Sequence, residues 1–355
     1  MIDDASSAAV VLVLEDDVTE QQIGMVRDVC EQGRFPVFLA AGDGWKAMSV
    51  GDGVRPVPLQ LSSLPGVRSV VPVPTPYRLS SRGVHAPTSV AVLAAPDGRH
   101  HPRSGSLRVG ERYPIVVAAA MSTIPPADGA TTLARSLSAH GVRWIHAGAL
   151  PPNGGSADHV ERLAQLHALT AAIGMVLSVE ISDAREVQVA ANVADVLVLG
   201  SRNMQDFRLL QVLGRSTAPV LLRRGHGATI EEFLLAAEYV LSNGNGRLML
   251  CESGIHTFDD PRTPRFEINA VPLLKLNTHL PVLADPTATL ADPAQAANVA
   301  GAAIAAGADG VFVHAPSDAM FGPDDTAVPG PGFQYLNAVA GAVDRTVAAS
   351  EGGPT

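Results

Sequence analysis

Cysteine is almost missing from this chain. Cys30 and Cys251 are the only two in 355 residues and fall in different candidate domains, which excludes a disulfide framework and leaves a reduced, cytoplasmic setting as the expectation. Lysine is equally scarce, with Lys46 and Lys275 against 23 arginines. Lys46 falls in the first domain and Lys275 in a helix, so neither stands at a strand end where it could form an imine, and a Schiff-base aldolase is excluded. There is no block of Lys and Arg, and a formal charge of −10 with a pI of about 5.5 argues against a nucleic-acid surface. No apolar run approaches the ~20 residues a membrane span needs. The start, MIDDASSAAVVLVLEDD, is acidic where a secretion signal would be basic. These absences leave a small-molecule partner, with no nucleic acid and no membrane.

What is present divides into three parts. Residues 1–75 carry apolar runs and one amphipathic stretch in the order AVVLVL, VTEQQIGMVRDVCEQG, PVFLAA, WKAMSVGD, LSSLPGV, RSVVPVP, the βαββαβ order of a ferredoxin-like α+β domain. Residues 76–113 turn to Pro, Gly, Ser, Arg and His, with two apolar snatches, Ser89 to Leu93 and Ser106 to Val109, that predict a linker with a hairpin. From 114 to 355, short apolar runs alternate with helical stretches eight times, which predicts a (β/α)8 TIM barrel. No G-x-G-x-x-G follows a strand, which disfavours the alternative of a doubly wound open sheet.

The centre of this pattern is PVLLRRGHGATIEEFLLAAEYVLSNGNGRLMLCESGIHTF, residues 219–258. It reads as a strand ending in Arg223 and Arg224, a capped helix with Thr229 and Glu232 in capping-box spacing, and a strand ending in Glu252. Barrel active sites lie where strands end. Polar residues collected there are Met121 and Ser122, His146, Glu180, Arg202 and Asn203, Arg223 and Arg224, Glu252 and Ser253, Asp285 and Thr287, and His314. A barrel built for stability alone has no need of so many charges, because each buried one requires a partner. Arg223 and Arg224 must face opposite sides of their strand, one toward the interior and one toward the helices, where an ordinary salt bridge is expected. Arg202, Arg223, Asp285, Asn203, Ser253, Met121 and Ser122 are the candidates for substrate binding, and His146, Glu180, His314 and Glu252 for proton transfer or its orientation. Each also has an ordinary structural alternative, as a cap, a salt-bridge partner or a core histidine.

The segments SRNMQDF (201–207), PVLLRRG (219–225), ATIEEFLLAAEYVLSNGN (228–245), LCESGIHTF (250–258), AVPLLK (270–275), THLPVLADPT (278–287) and AAIAAGADG (302–310) resemble the type I beta family of 3-deoxy-D-arabino-heptulosonate-7-phosphate (DAHP) synthases. The resemblance spans nearly the whole chain. It implies a ferredoxin-like domain ahead of the barrel and an aldol-like joining of phosphoenolpyruvate to erythrose 4-phosphate on a divalent metal held by Cys, His, Glu and Asp.

The chain departs from the family pattern at the residues that do this work. The family's A-G-P-C-S reads Ala118-Ala119-Ala120-Met121-Ser122, D-P-S-H reads Asp285-Pro286-Thr287-Ala288, and the eighth-strand glutamate is His314. Only the last aspartate has a counterpart, Asp325 in an ungapped alignment. L-R-G-G-A reads Ile145-His146-Ala147-Gly148-Ala149, and K-P-R-T reads Pro151-Pro152-Asn153-Gly154. The C-E-R-G arginine is Ser253 and the L-K-R-G lysine is Arg223, whereas Arg202, Glu180, Glu252 and Asp285 are kept. Each lost charge-assisted contact removes about 1.5–3 kcal/mol of phosphate affinity. No metal cofactor is therefore expected, because Met, Ala and His do not reproduce a Cys-His-Glu-Asp site.

The expected function is a DAHP synthase-like barrel enzyme turned to a carboxylate or keto substrate. Its reaction would be a carbon–carbon bond-forming, cleaving or cyclising step of specialised metabolism, carried out by a homodimer or homotetramer. A non-catalytic regulator or partner subunit is the alternative, and authentic DAHP synthesis is disfavoured.

Overall fold

The computed structural model describes residues 9–33, 35–51, 61–85, 89–93, 107–121, 127–151, 157–286, 292–314 and 331–351. The first unit holds β1 (Ala9–Leu14), α1 (Glu20–Gln32), β2 (Val37–Gly42), β3 (Trp45–Val50) and β4 (Val67–Val73), with one helical turn at Leu61 and Ser62 before the last strand. Thr19 and Gln22 close a capping box at the start of α1, and its buried residues Ile23, Val26 and Cys30 lie on the sheet. The sheet is antiparallel in the order β2-β3-β1-β4, which is the ferredoxin-like arrangement.

A short antiparallel hairpin follows, β5 (Ala91–Leu93) against β6 (Leu107–Val109). Its Ala91, Leu93 and Val109 share one apolar cluster with Val116, Val176 and Val196, the residues that begin three barrel strands. The hairpin therefore closes the floor of the barrel, and the opposite end, where the strands finish, is its mouth.

The barrel strands are β7 (Val116–Ala120), β8 (Trp144–Ala149), β9 (Val176–Ile181), β10 (Val196–Leu199), β11 (Val220–Arg223), β12 (Leu248–Glu252), β13 (Val282–Ala284) and β14 (Gly310–His314). All eight pair in parallel, and β14 closes on β7. Helices follow the strands: α2 (Ala127–Ala139), α3 (Ala157–Ala172), α4 (Val187–Val193), α5 (Phe207–Arg215), α6 (Ile230–Ser242), α7 (Ala270–Asn277), α8 (Pro293–Ala305) and α9 (Pro331–Glu351). Lys275 lies on α7, where its Nζ bonds both carboxylate oxygens of Asp309 at 2.9 and 3.0 Å, far from any imine chemistry. Among the described residues no helix is long and apolar enough to cross a membrane.

The first unit is fastened to the floor side of the barrel by backbone. Ala41 on the edge strand β2 donates to the Gly244 carbonyl at 3.2 Å and accepts from the Gly246 amide at 2.8 Å. A Cβ on Gly246 would lie 2.5 Å from the Ala41 carbonyl carbon, so only glycine permits this approach. Asp43 accepts from the Val92 amide at 2.8 Å and pairs with Arg247 at 3.2 Å, which joins sheet, hairpin and barrel at one point. Trp45 packs edge-on against His279 with centroids 4.8 Å apart.

Candidate active site at the barrel mouth

Side chains of a strand alternate between faces, so a few apolar residues set the phase for the rest. The interior cluster contains Trp144, Val176, Leu221, Met249, Cys251, Leu283 and Phe312. Counting on by twos toward the strand ends gives His146, Ser178, Glu180, Arg223, Asp285 and His314. Five strands thus bring polar groups to the interior at the mouth, against a wall made by Phe312. Arg223 lies over that ring at 5.1 Å, and His146 meets it edge-on at 5.9 Å.

Asp285 is the hub. Its Oδ2 accepts from Arg223 Nη1 at 3.0 Å and from His314 Nε2 at 2.9 Å, and the carboxylate is fully enclosed. Burial alone would raise its pKa, but the opposing charges of His314 and Arg223, with the His314 hydrogen bond, bring it down to about 2. Arg223 is buried and ion-paired with Asp285, and among the described residues its Nε and Nη2 have no hydrogen-bond partner, nor does Asp285 Oδ1. Buried guanidinium nitrogens without partners are costly in a finished core. Their position inside the barrel at the carboxyl end of β11 makes them candidate donors for a ligand.

His146 is 3% exposed, with Nδ1 3.0 Å from Ser178 Oγ, which also accepts from Trp144 Nε1 at 2.8 Å. Burial, then the charges of Arg223 and His314, hold the imidazole well below its ordinary pKa and keep it neutral. Glu180 is half-buried, and its carboxylate lies directly over Gly200, where any Cβ would collide with Oε1. Arg202 is exposed on the 3-10 turn Ser201–Asn203 that follows β10, with half-buried Asn203 beside it.

Other expected site residues are placed elsewhere. Arg224 and Glu252 pair at 3.0 Å on the helix side of their strands. Arg224 also donates twice to the Ala228 carbonyl, and Glu252 accepts the Gly254 amide at 2.7 Å. Glu252 is thus committed to holding two loops and is not brought into the interior with His146, Glu180 and His314. Ser253 donates to the Arg224 carbonyl at 3.1 Å and lies 2.9 Å from Ser201 Oγ, a link between adjacent loops. Met121 is buried in the core between strands and helices, and its amide donates to the His146 carbonyl at 2.8 Å. Ser122, Thr287 and Asp325 lie outside the described residues.

The metal of the resembling family has no fitting donor set among the described residues. No three His, Cys, Asp or Glu side chains converge there, and the one carboxylate next to His314 is already engaged by Arg223. Cys251 does point inward, but it is enclosed at 0% exposure, and burial raises its thiol far above the ordinary value.

Residues 106–321 match the DAHP synthetase I family. The chain belongs to that family. A phospho-2-dehydro-3-deoxyheptonate aldolase of Thermotoga maritima is 32% identical over 309 residues, covering 86% of this chain and 88% of that protein. The crystal structure of a DAHP synthase from the same organism superposes with a TM-score of 0.68 at 29% identity, over 96% of this chain and 98% of that one. A truncated form of the Thermotoga maritima enzyme gives 0.64 at 29% identity, over 76% of this chain and 96% of that one. Ser178, Trp144 and Phe312 were missed by collecting strand ends alone. The signal for Ser178 was available: it precedes Glu180 by two positions on the same strand and so shares its face.

Proposed function

We propose that this DAHP synthetase I family protein is a cytoplasmic enzyme acting on a carboxylate or keto acid. Its step would be a carbon–carbon bond-forming, cleaving or cyclising one that has departed from the joining of phosphoenolpyruvate to erythrose 4-phosphate and uses no divalent metal. The observation that carries the reading is Arg223, buried at the carboxyl end of its strand with Nε and Nη2 lacking partners among the described residues. A planar guanidinium with two unused N–H groups matches the two oxygens of a carboxylate or an enolate. Arg202, exposed on the neighbouring turn, supplies a second cation as a ligand enters. Asp285 fixes Arg223 and the His314 ring from one oxygen, so both are oriented before binding. His314 and Glu180 are the groups positioned to move protons.

Two measurements test this. Bound metal and turnover of phosphoenolpyruvate with erythrose 4-phosphate are measured with and without added divalent ion. The expected result is no metal-dependent turnover, and clear metal-dependent turnover overturns the altered chemistry. Binding of pyruvate as the simplest keto acid is then followed by calorimetry in the wild type and in Arg202→Ala, which disturbs no buried pair. Saturable binding weakened by the substitution is expected; equal binding removes Arg202 from the site.

A further inference from the structure

We propose that Ser178 and Trp144 are positioning residues that lock His146 in the tautomer with its proton on Nε2, so that the ring offers the mouth a fixed hydrogen-bond donor and not a base. The role of that donor rests on the oxyanion reading of the mouth given above; the tautomer itself does not.

The donors and acceptors around Ser178 Oγ fix the tautomer. Indole Nε1–H can only donate, so at 2.8 Å it occupies one lone pair of Ser178 Oγ. The hydroxyl keeps one proton, and among the described residues the only other group bonded to Oγ is His146 Nδ1 at 3.0 Å. Ser178 and Trp144 are both 0% exposed, so no solvent serves as an alternative acceptor. If Nδ1 carried a proton, Oγ would receive two donors and its own proton would be buried without a partner, a penalty of about 1–3 kcal/mol. If Nδ1 is bare, the chain Trp144 Nε1–H to Ser178 O–H to His146 Nδ1 uses every donor once. The ring proton is then on Nε2, the nitrogen directed away from Ser178. The competing arrangement takes the Ser178 backbone, in place of Oγ, as the partner of the ring.

The charged groups facing the imidazole are Arg223, His314 and Asp285. Two of the three are basic, and together with burial they oppose a second ring proton, so the donor stays neutral. Arg223 and His146 both pack on Phe312. An oxyanion bound by the free guanidinium nitrogens is therefore met from a second direction by a neutral N–H, the arrangement by which preorganised donors stabilise developing negative charge.

The test is long-range 1H–15N correlation on the full chain labelled with 15N-histidine, with the His146 signals assigned by their loss in His146→Gln. The expected wild-type result is a neutral ring protonated at Nε2 from pH 6 to 8. In Ser178→Ala the proton is expected to move to Nδ1, toward the backbone at that position, and Ser178→Thr is expected to restore the Nε2 form. Trp144→Phe frees a lone pair on Oγ and is expected to give a mixture; should that core substitution not fold, the serine pair decides alone. An Nδ1-protonated wild type, an imidazolium at pH 6, or a tautomer unmoved in folded Ser178→Ala overturns the proposal. Pyruvate affinity in Ser178→Ala is expected to fall ~3–10-fold, the weight of one hydrogen bond. Absent pyruvate binding with the Nε2 tautomer intact sinks the oxyanion reading and leaves the positioning pair standing.

Discussion

Arg223 and Arg224 are one position apart and have opposite occupations. Arg224 satisfies Glu252 and the Ala228 carbonyl within the helix layer, whereas Arg223 faces the interior with nitrogens to spare. That division was legible in the sequence, because neighbours on a strand must face opposite ways. The fate of Glu252 was not, since a strand-end carboxylate looks the same whether a ligand or Arg224 takes it. Replacing Asp285 by Asn leaves the Arg223 charge buried without its counter-ion, and loss of one partner of such a pair costs about 3–5 kcal/mol. Urea unfolding of Asp285→Asn is expected to show a loss of this size. Because the Asp285 pKa falls from 3.8 to about 2 on folding, its contribution is present above pH ~4 and disappears as the pH drops through 2. The acid limb of the stability curve is therefore expected to flatten in that window in the Asn variant.

Among elements, α6 shows how far local rules reach. Thr229 accepts the Glu232 amide, and the Glu232 carboxylate accepts the Thr229 amide at 2.8 Å, as the spacing required. Its buried residues Phe233, Leu234, Ala237, Val240 and Leu241 recur at helical spacing along one face. Thr229→Ala is expected to destabilise the protein by ~1 kcal/mol, seen as a lower urea midpoint at unchanged slope. The hairpin of β5 and β6 was legible as two apolar snatches, yet its place in the barrel floor was not. Three-residue strands carry too little pattern to say what they cover, and only the shared cluster with Val116, Val176 and Val196 shows it.

At the scale of the molecule, the ferredoxin-like unit, the hairpin and the barrel meet around Asp43, Arg247 and His279. Asp43→Ala removes the group that holds both Arg247 and the Val92 amide, so the first unit is expected to melt separately, as a second transition in calorimetry. His279 donates from Nε2 to the Leu79 carbonyl at 2.8 Å, and burial lowers its pKa to about 3. The unfolded chain takes up that proton near pH 6.5 and the folded one only near 3, so stability falls as the pH drops through this window, by roughly 1.4 kcal/mol per unit. His279→Gln is expected to reduce that slope, and an unchanged slope would assign the acid lability to another group. By itself the sequence determined the barrel, the preceding domain and the family, because alternating periodicity, caps and strand-end charges are local and repeat along the chain. Only the tertiary structure decided which of those charges face the barrel interior. The hydrogen bonds that commit Glu252 and Ser253 elsewhere, leave Arg223 partly unsatisfied and tie His146 to Ser178 join residues far apart in sequence, and no local pattern encodes a partner at that distance.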